Sequence, residues 1–204
     1  MEKQFVDDNF AITIPDGWHV VTNLPPTPGM VAAYGDVTRK RMALLLIGNE
    51  RPSGPMSERL AAEIDQGFQR KGRDIRISGK FIDVGGIKSY ERLGSLDSHG
   101  KHITTANLFV PGENRYYDVQ ALRTDGDVSE DPEIQQIIGS FRFLHPFVPS
   151  YGQDSVAYRA GEIAGASIVI IFVVGVVVYA VRSHQTPRLP PSHPRPPPIP
   201  PGGR

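Results

Sequence analysis

The chain has 204 residues, 39% apolar and 22% charged, with 22 Lys+Arg against 22 Asp+Glu and no cysteine. That length supports one ordinary domain of up to about 150 residues with accessory segments, and excludes a large multidomain enzyme. The balanced charge argues against nucleic acid as a partner, and the missing cysteines exclude disulfides, a thiol nucleophile and thiolate metal sites while leaving the redox compartment open.

The first clear element is Phe10-Ala11-Ile12-Thr13-Ile14, which alternates with the period of a strand and stops at Pro15-Asp16-Gly17. Proline's fixed φ, the aspartate's local hydrogen bonding and glycine's freedom make that triplet a turn. Met42-Ala43-Leu44-Leu45-Leu46-Ile47 is apolar without alternation, as expected of a strand covered on both faces in the interior of a sheet. Ser57 can cap a helix running to about Lys71, with Leu60, Ala61, Ile64 and Phe68 on one face. Extended runs are expected at about 75–84, 86–95, 101–110 and 115–123. The last two, joined by Pro111-Gly112-Glu113-Asn114, should be an antiparallel hairpin.

A second helix begins with Asp131 as cap, Pro132 at the first position and Glu133 near the positive end of the dipole, and carries Ile134, Ile137, Ile138 and Phe141 as its stripe. Both helices must bury an apolar face, and the sheet is the only large apolar surface on offer. The expected fold class is therefore α+β, an antiparallel sheet packed with helices as a layered sandwich, over residues 1–145.

Pro146 and Pro149 open a linker, 146–161, that leads to Ile163–Val181, 19 residues without a charge between Glu162 and Arg182. At about 1.5 Å per residue a helix of that length is roughly 28 Å long, close to the hydrocarbon thickness of a bilayer, so 162–182 is expected to be a single transmembrane helix. Its Val/Ile content would favour a strand in water, but a lone segment in lipid must satisfy its backbone as a helix. Gly161 and Gly165 form a G-x-x-x-G at its mouth that would allow close approach of two helices; the oligomeric state is left open.

Residues 183–204 are expected to form an extended, proline-rich tail, since residues 182–204 hold nine prolines and four arginines and no acid. Arg188-Leu189-Pro190-Pro191-Ser192-His193-Pro194 has the P-x-x-P form that SH3-like readers capture. Two signals disagree on orientation. The tail arginines favour a cytoplasmic tail. The N-terminus Met1-Glu2-Lys3-Gln4-Phe5 has no basic stretch leading into an apolar run, so the expectation is a tail-anchored, single-pass protein with its folded domain in the cytoplasm.

Motifs for chemistry are few. His99-Gly100-Lys101-His102 is a close histidine pair, but its flanks mark a loop and no cysteine or carboxylate cluster completes a metal shell. Asp125-Gly126-Asp127-Val128-Ser129-Glu130-Asp131 is acidic enough to suggest calcium, yet glycine falls second rather than sixth, and a polar loop ending in a helix cap explains it better. Ser78-Gly79-Lys80-Phe81 lacks the upstream glycine and hydroxyl residue of a phosphate loop. Arg39-Lys40-Arg41, and Arg70-Lys71 with Arg73 and Arg76, could meet an acidic partner or lipid headgroups, but read more simply as a solvated rim. Trp18, Tyr116 and Tyr117 read as core and sheet packing. These residues yield no catalytic, cofactor or metal site.

Taken together, Phe10-Ala11-Ile12-Thr13-Ile14-Pro15-Asp16-Gly17-Trp18, Arg115-Tyr116-Tyr117-Asp118-Val119-Gln120-Ala121 and Ile137-Ile138-Gly139-Ser140-Phe141-Arg142-Phe143 resemble the PsbP-like family, which includes DcrB-type envelope proteins and nuclear Ran-release factors. The resemblance covers about residues 5–144 and implies a non-enzymatic binding or assembly domain with a protein partner it does not name. Two functional readings stand, beside a third in which the chain is a scaffold acting through its tail, residues 186–204. One is a membrane-anchored, non-catalytic binding or assembly domain. The other is a small membrane-tethered enzyme, hydrolase-like, with a site dispersed in sequence.

Overall fold

The computed structural model describes residues 1–148 except 23, 25, 26, 28, 39, 49–54, 70–74, 99, 100 and 114. The linker from 149 on, the apolar segment 163–181, Gly161 and Gly165, and the proline-rich tail lie outside the described residues. Among the described residues no helix is long and apolar enough to cross a membrane.

The elements in chain order are β1 (Glu2–Phe5), β2 (Phe10–Thr13), β3 (His19–Val20), β4 (Met30–Gly35), β5 (Arg41–Gly48), α1 (Glu58–Gln69), β6 (Arg76–Val84), β7 (Ile87–Ser98), β8 (Lys101–Pro111), β9 (Tyr116–Arg123), α2 (Pro132–Gly139) and β10 (Arg142–Phe143). Among the described residues seven strands form one antiparallel sheet in the order β3-β4-β5-β9-β8-β7-β6, and three form a small one, β1-β2-β10. The β8–β9 hairpin is antiparallel, as its turn chemistry requires. The β6–β7 hairpin turns on Gly85 and Gly86, both at positive φ, where a side chain would be strained.

β5 lies between β4 and β9, and Met42–Ile47 are all buried. The two faces of this strand meet different layers. Ala43, Leu45 and Ile47 pack with Leu108 and Val119, with Ile134, Ile137 and Ile138 of α2, and with Phe10 and Ile12 of the small sheet. Met42, Leu44 and Leu46 pack with Ile103, Leu122 and Phe68 of α1. Ala61 and Ile64 of α1 meet Met56, Tyr90 and Phe109 on that same face. The result is the expected α+β sandwich, with one helix on each side of the large sheet.

The caps are those of the sequence. Ser57 Oγ accepts from Leu60 N at 3.3 Å, and Asp131 Oδ1 accepts from Glu133 N at 3.0 Å and Ile134 N at 3.2 Å. Phe141 joins the core from just beyond the end of α2. Strands β1, β3, β4 and β10 carry no strong local signal. β1 is polar and half exposed, β3 and β10 have two residues each, and β4, Met-Val-Ala-Ala-Tyr-Gly, becomes a strand by pairing with β5 through a register irregularity between Met30 and Ala32.

Carboxylates of the acidic run 125–131 meet Lys40 and Arg41 of the basic cluster in one ion-pair network at the start of β5 and the end of β9. Arg41 pairs with Asp36 at 3.0 Å, with Glu133, and with Asp131 at 3.7 Å. Arg123 pairs with Asp125 at 3.0 Å and Asp131 at 3.1 Å, and Lys40 with Asp125 at 3.3 Å. Trp18, nearly buried, donates from Nε1 to Glu133 Oε2 at 3.0 Å. Burial works to raise Asp36, but hydrogen bonds from Arg41 and Thr38 outweigh it and hold the carboxyl below its ordinary value. The solvated-rim reading of this cluster is thereby corrected for Arg41, whose guanidinium ties the sheet to the first turn of α2. Arg39, Arg70, Lys71 and Arg73 lie outside the described residues.

Asp131 is the hub, because its side chain is 2% exposed and both caps α2 and faces two arginines. Replacing it with alanine removes the cap and leaves Arg41 and Arg123 facing each other, so Asp131→Ala should cost at least about 2 kcal/mol in urea unfolding. Asp125→Ala, which removes the more exposed carboxylate, should cost less than about 1 kcal/mol.

Candidate functional site

Two polar constellations stand out against this apolar sandwich, and they lie on opposite faces of the large sheet. The first is buried under α1. Arg92 of β7, Asn107 of β8 and Gln120 of β9 are direct cross-strand partners, and Asp118 is two residues from Gln120 on the same face. All four are nearly inaccessible to solvent. Arg92 donates to Asn107 Oδ1 at 2.9 Å, Asn107 Nδ2 to Asp118 Oδ1 at 3.4 Å, and Gln120 Nε2 to Asp118 Oδ2 at 2.7 Å. The guanidinium carbon sits 4.1 Å from the ring centre of Phe68 and 5.3 Å from that of Phe109. From α1, Asp65 Oδ2 accepts from Tyr90 Oη at 2.7 Å.

Burial dominates the electrostatics of this row. It pushes the Asp118 carboxyl up to about 6, raises Asp65 and Tyr90, and lowers Arg92 from its ordinary value. Arg92 Nε, Gln120 Oε1 and Asp65 Oδ1 are buried without a hydrogen-bond partner among the described residues. A closed, cross-strand row of this kind locks register, since a one-residue slip of β7 would drive a guanidinium into the apolar opposite face. The only sequence signal for it was a charged or amide residue in the middle of each of three adjacent strands, visible as a row only once register is known.

The second constellation is open. Arg76 of β6, Ser95 and Asp97 of β7, His102 and Thr104 of β8 and Asp127 of the loop after β9 line a polar groove of about 400 Å³ on the α2 face of the sheet. The cross-strand row Arg76, Ser95, Thr104 forms its floor, and the pair Asp97 and His102 is the next row. His102 Nδ1 lies 2.9 Å from Asp97 Oδ1, both side chains being more than half exposed. Asp127 accepts from the backbone N–H and hydroxyl of Ser129, which hold its carboxyl below the ordinary value. Arg76 makes no ion pair among the described residues. The groove thus offers one guanidinium, two carboxylates and an imidazole in a shallow, solvent-facing cleft.

This arrangement suits recognition of a polar segment carrying both signs of charge. An Asp–His pair is also the orienting half of a general base, but the nearby Thr104 hydroxyl donates to Gly126 O at 2.8 Å and accepts from Val128 N at 3.0 Å, so it is committed to holding the loop. Of the histidine pair, His102 faces Asp97 and His99 lies outside the described residues. Among the described residues no three His, Asp or Glu side chains converge as metal ligands. The acidic run is a set of caps and ion pairs, Asp127 starting the 3-10 turn Val128–Glu130 and Asp131 starting α2. Ser78-Gly79-Lys80-Phe81 lies within β6, an edge strand and not a loop ahead of a helix. Trp18 and Tyr117 are in the core; Tyr116 packs on the α1 face, so both tyrosines point inward because both faces of the sheet are covered.

Asp118 has a testable sign. A carboxyl raised in the folded state binds its proton more tightly than in the unfolded chain, so its contribution is most favourable below about pH 4 and is lost as pH rises toward about 6. The stability of Asp118→Asn relative to wild type should therefore rise by on the order of 2 kcal/mol between pH 4 and pH 7 in urea unfolding. A flat difference would mean that the carboxyl titrates normally.

No model of a known protein family matches the chain, and no curated protein matches it significantly. Solved structures do. Cyanobacterial PsbP, CyanoP, from Synechocystis aligns at 15% identity over 70% of this chain and 91% of its own, with a TM-score of 0.52. A Bacteroides thetaiotaomicron structure aligns at 11% identity over 71% of this chain and 48% of its own (TM-score 0.47), and a Pseudomonas aeruginosa protein of unknown function at 11% over 74% and 98% (TM-score 0.44). At such identities the likeness is one of fold. The phrases that carry the sequence resemblance fall on β2 with its turn to Trp18, on β9, and on α2 with β10, all of which contribute to the main apolar core. The domain has the PsbP-like fold.

Proposed function

We propose that the protein is a membrane-tethered, non-catalytic binding domain that uses the polar groove of Arg76, Asp97, His102 and Asp127 to hold a polar segment of a protein partner. The observation that carries this reading is the groove's position. It lies at the Arg123 end of β9, whereas the chain leaves the domain at the Tyr116 end, where Arg115 pairs with Asp8 at 2.8 Å and Asn9 holds His145. Eight strand residues separate these ends by about 24 Å. With residues 163–181 as the anchor, the groove faces away from the bilayer while tethering keeps its local concentration at the membrane high.

The groove's chemistry supports binding over catalysis: its ionisable groups are exposed and solvated, whereas a general base and nucleophile are usually desolvated and oriented together. The PsbP-like fold agrees with a binding or assembly role, and the proline-rich tail adds a candidate ligand for SH3-like readers on the far side of the anchor.

Two measurements on the full-length chain in native membranes test this. It should resist alkaline carbonate extraction, whereas a chain ending at Val148 should not sediment with membranes. A photo-crosslinker at Asp97 should give a discrete protein adduct that Arg76→Glu reduces several-fold. Extraction of the full chain by carbonate would remove the anchor from the reading; an Asp97 adduct insensitive to Arg76→Glu would remove the groove.

A further inference from the structure

The end of the domain at which the chain departs toward residues 163–181 carries Val6 and Val148, two of the five large apolar side chains exposed among the described residues. Phe5 of β1, Phe10 of β2 and Phe143 of β10 form a cross-strand row, Phe5 and Phe10 stacked at 4.5 Å. Phe147 lies edge-on to Phe143 at 4.6 Å, so the aromatic series continues past the last strand toward the surface. Two hydrogen bonds pin the departing chain there, from Asn9 Nδ2 to His145 O at 3.0 Å and from His145 N to Asn9 Oδ1 at 2.8 Å. Asn9 adopts the left-handed conformation at φ 58 to close the turn onto Val6, with its N–H bonded to Val6 O at 3.1 Å. Val6 is 65% exposed and Val148 is 85% exposed. Of the two carboxylates that follow Val6, Asp8 is paired with Arg115 at 2.8 Å, while Asp7 is exposed and makes no ion pair among the described residues.

We infer that this end, Val6 with Phe147 and Val148 set on the phenylalanine row, is a docking surface for the lipid bilayer, resting on the anchored reading above. Fourteen residues separate Val148 from Ile163, a reach of at most about 50 Å, so the patch stays within that distance of the interface at which the apolar segment enters. Exposed valines over a phenylalanine cluster suit the boundary between headgroups and acyl chains, where aromatic side chains gather. Because the charged side chains that follow Val6, Asp7 and Asp8, are acidic, the contact is driven by apolar burial and needs no anionic lipid. Docking in this pose orients the polar groove, at the other end of the sheet, outward.

The chain lacks cysteine, so single labels report each site cleanly. Val6→Cys, Val148→Cys and Val37→Cys, each in the full-length chain, would carry an environment-sensitive fluorophore and be reconstituted in phosphatidylcholine vesicles. Val37 is 76% exposed in the turn beside Asp36, at the opposite end of the sheet. Labels at 6 and 148 should shift to the blue and be quenched several-fold by a nitroxide-bearing lipid, at low and high salt alike, with the label at 37 unchanged. Val6→Asp should remove quenching at 148. If the chain floats with the vesicles but all three labels respond alike, docking is overturned while the anchor stands. If the chain does not float at all, anchor and docking fall together.

Discussion

Burial of one sheet on both faces is the constraint from which the rest of this domain follows. Strands β5, β9 and β8 have a helix-bearing layer on each side, so every residue along them must be apolar, small or hydrogen-bonded. On the α2 side the middle of these strands is apolar, and Ile134, Ile137 and Ile138 pack with Leu45, Leu108 and Val119. On the α1 side a charged row is enclosed, with Arg92 between Phe68 and Phe109 and Asp118 held by two amides. Such a row adds little net stability, because desolvation of both charges opposes their attraction. Its effect is on specificity: only one register of β7, β8 and β9 brings Arg92, Asn107 and Gln120 side by side.

The same sheet sets up a polarity along its strands. At one end, arginines 41 and 123 and carboxylates 36, 125, 131 and 133 join the strand ends to α2, and the open groove lies beside them. At the other, aromatic rings gather where the chain departs. A rigid sheet between the two ends means that whatever holds one end orients the other, which is the physical content of the proposed tethered binder. The fold by itself assigns no activity, since PsbP-like domains share architecture at identities too low to carry a site.

Much of the fold was legible locally. The strand before Pro15, the apolar run at 42–47, the caps Ser57 and Asp131 and the stripes of both helices are short-range signals, and each landed where it was expected except Phe141, which follows the end of α2. The strands that escaped notice were those whose conformation is imposed by a neighbour: β4 by β5, β3 by β4, and β1 and β10 by β2. The groove was not legible. Arg76, Asp97, His102 and Asp127 come from three strands and a loop, and a sequence shows them only as isolated polar residues in separate segments. Arg41 was misread as rim for the same reason, because its partners at 131 and 133 are some ninety residues away.

What the sequence by itself determined is the class of each segment: an α+β domain, then a proline-marked exit, an uncharged stretch of bilayer length, and a proline-rich tail. Those are properties of composition and period, which act over one or two turns of chain. Only the tertiary structure decided which face of each strand lies under which helix, that Arg92 is enclosed while Arg76 is open, and that groove and exit occupy opposite ends of one sheet. The reason is that strand register and layer order are set by contacts between residues far apart in the chain, and chemistry assembled across strands exists only once those contacts are made.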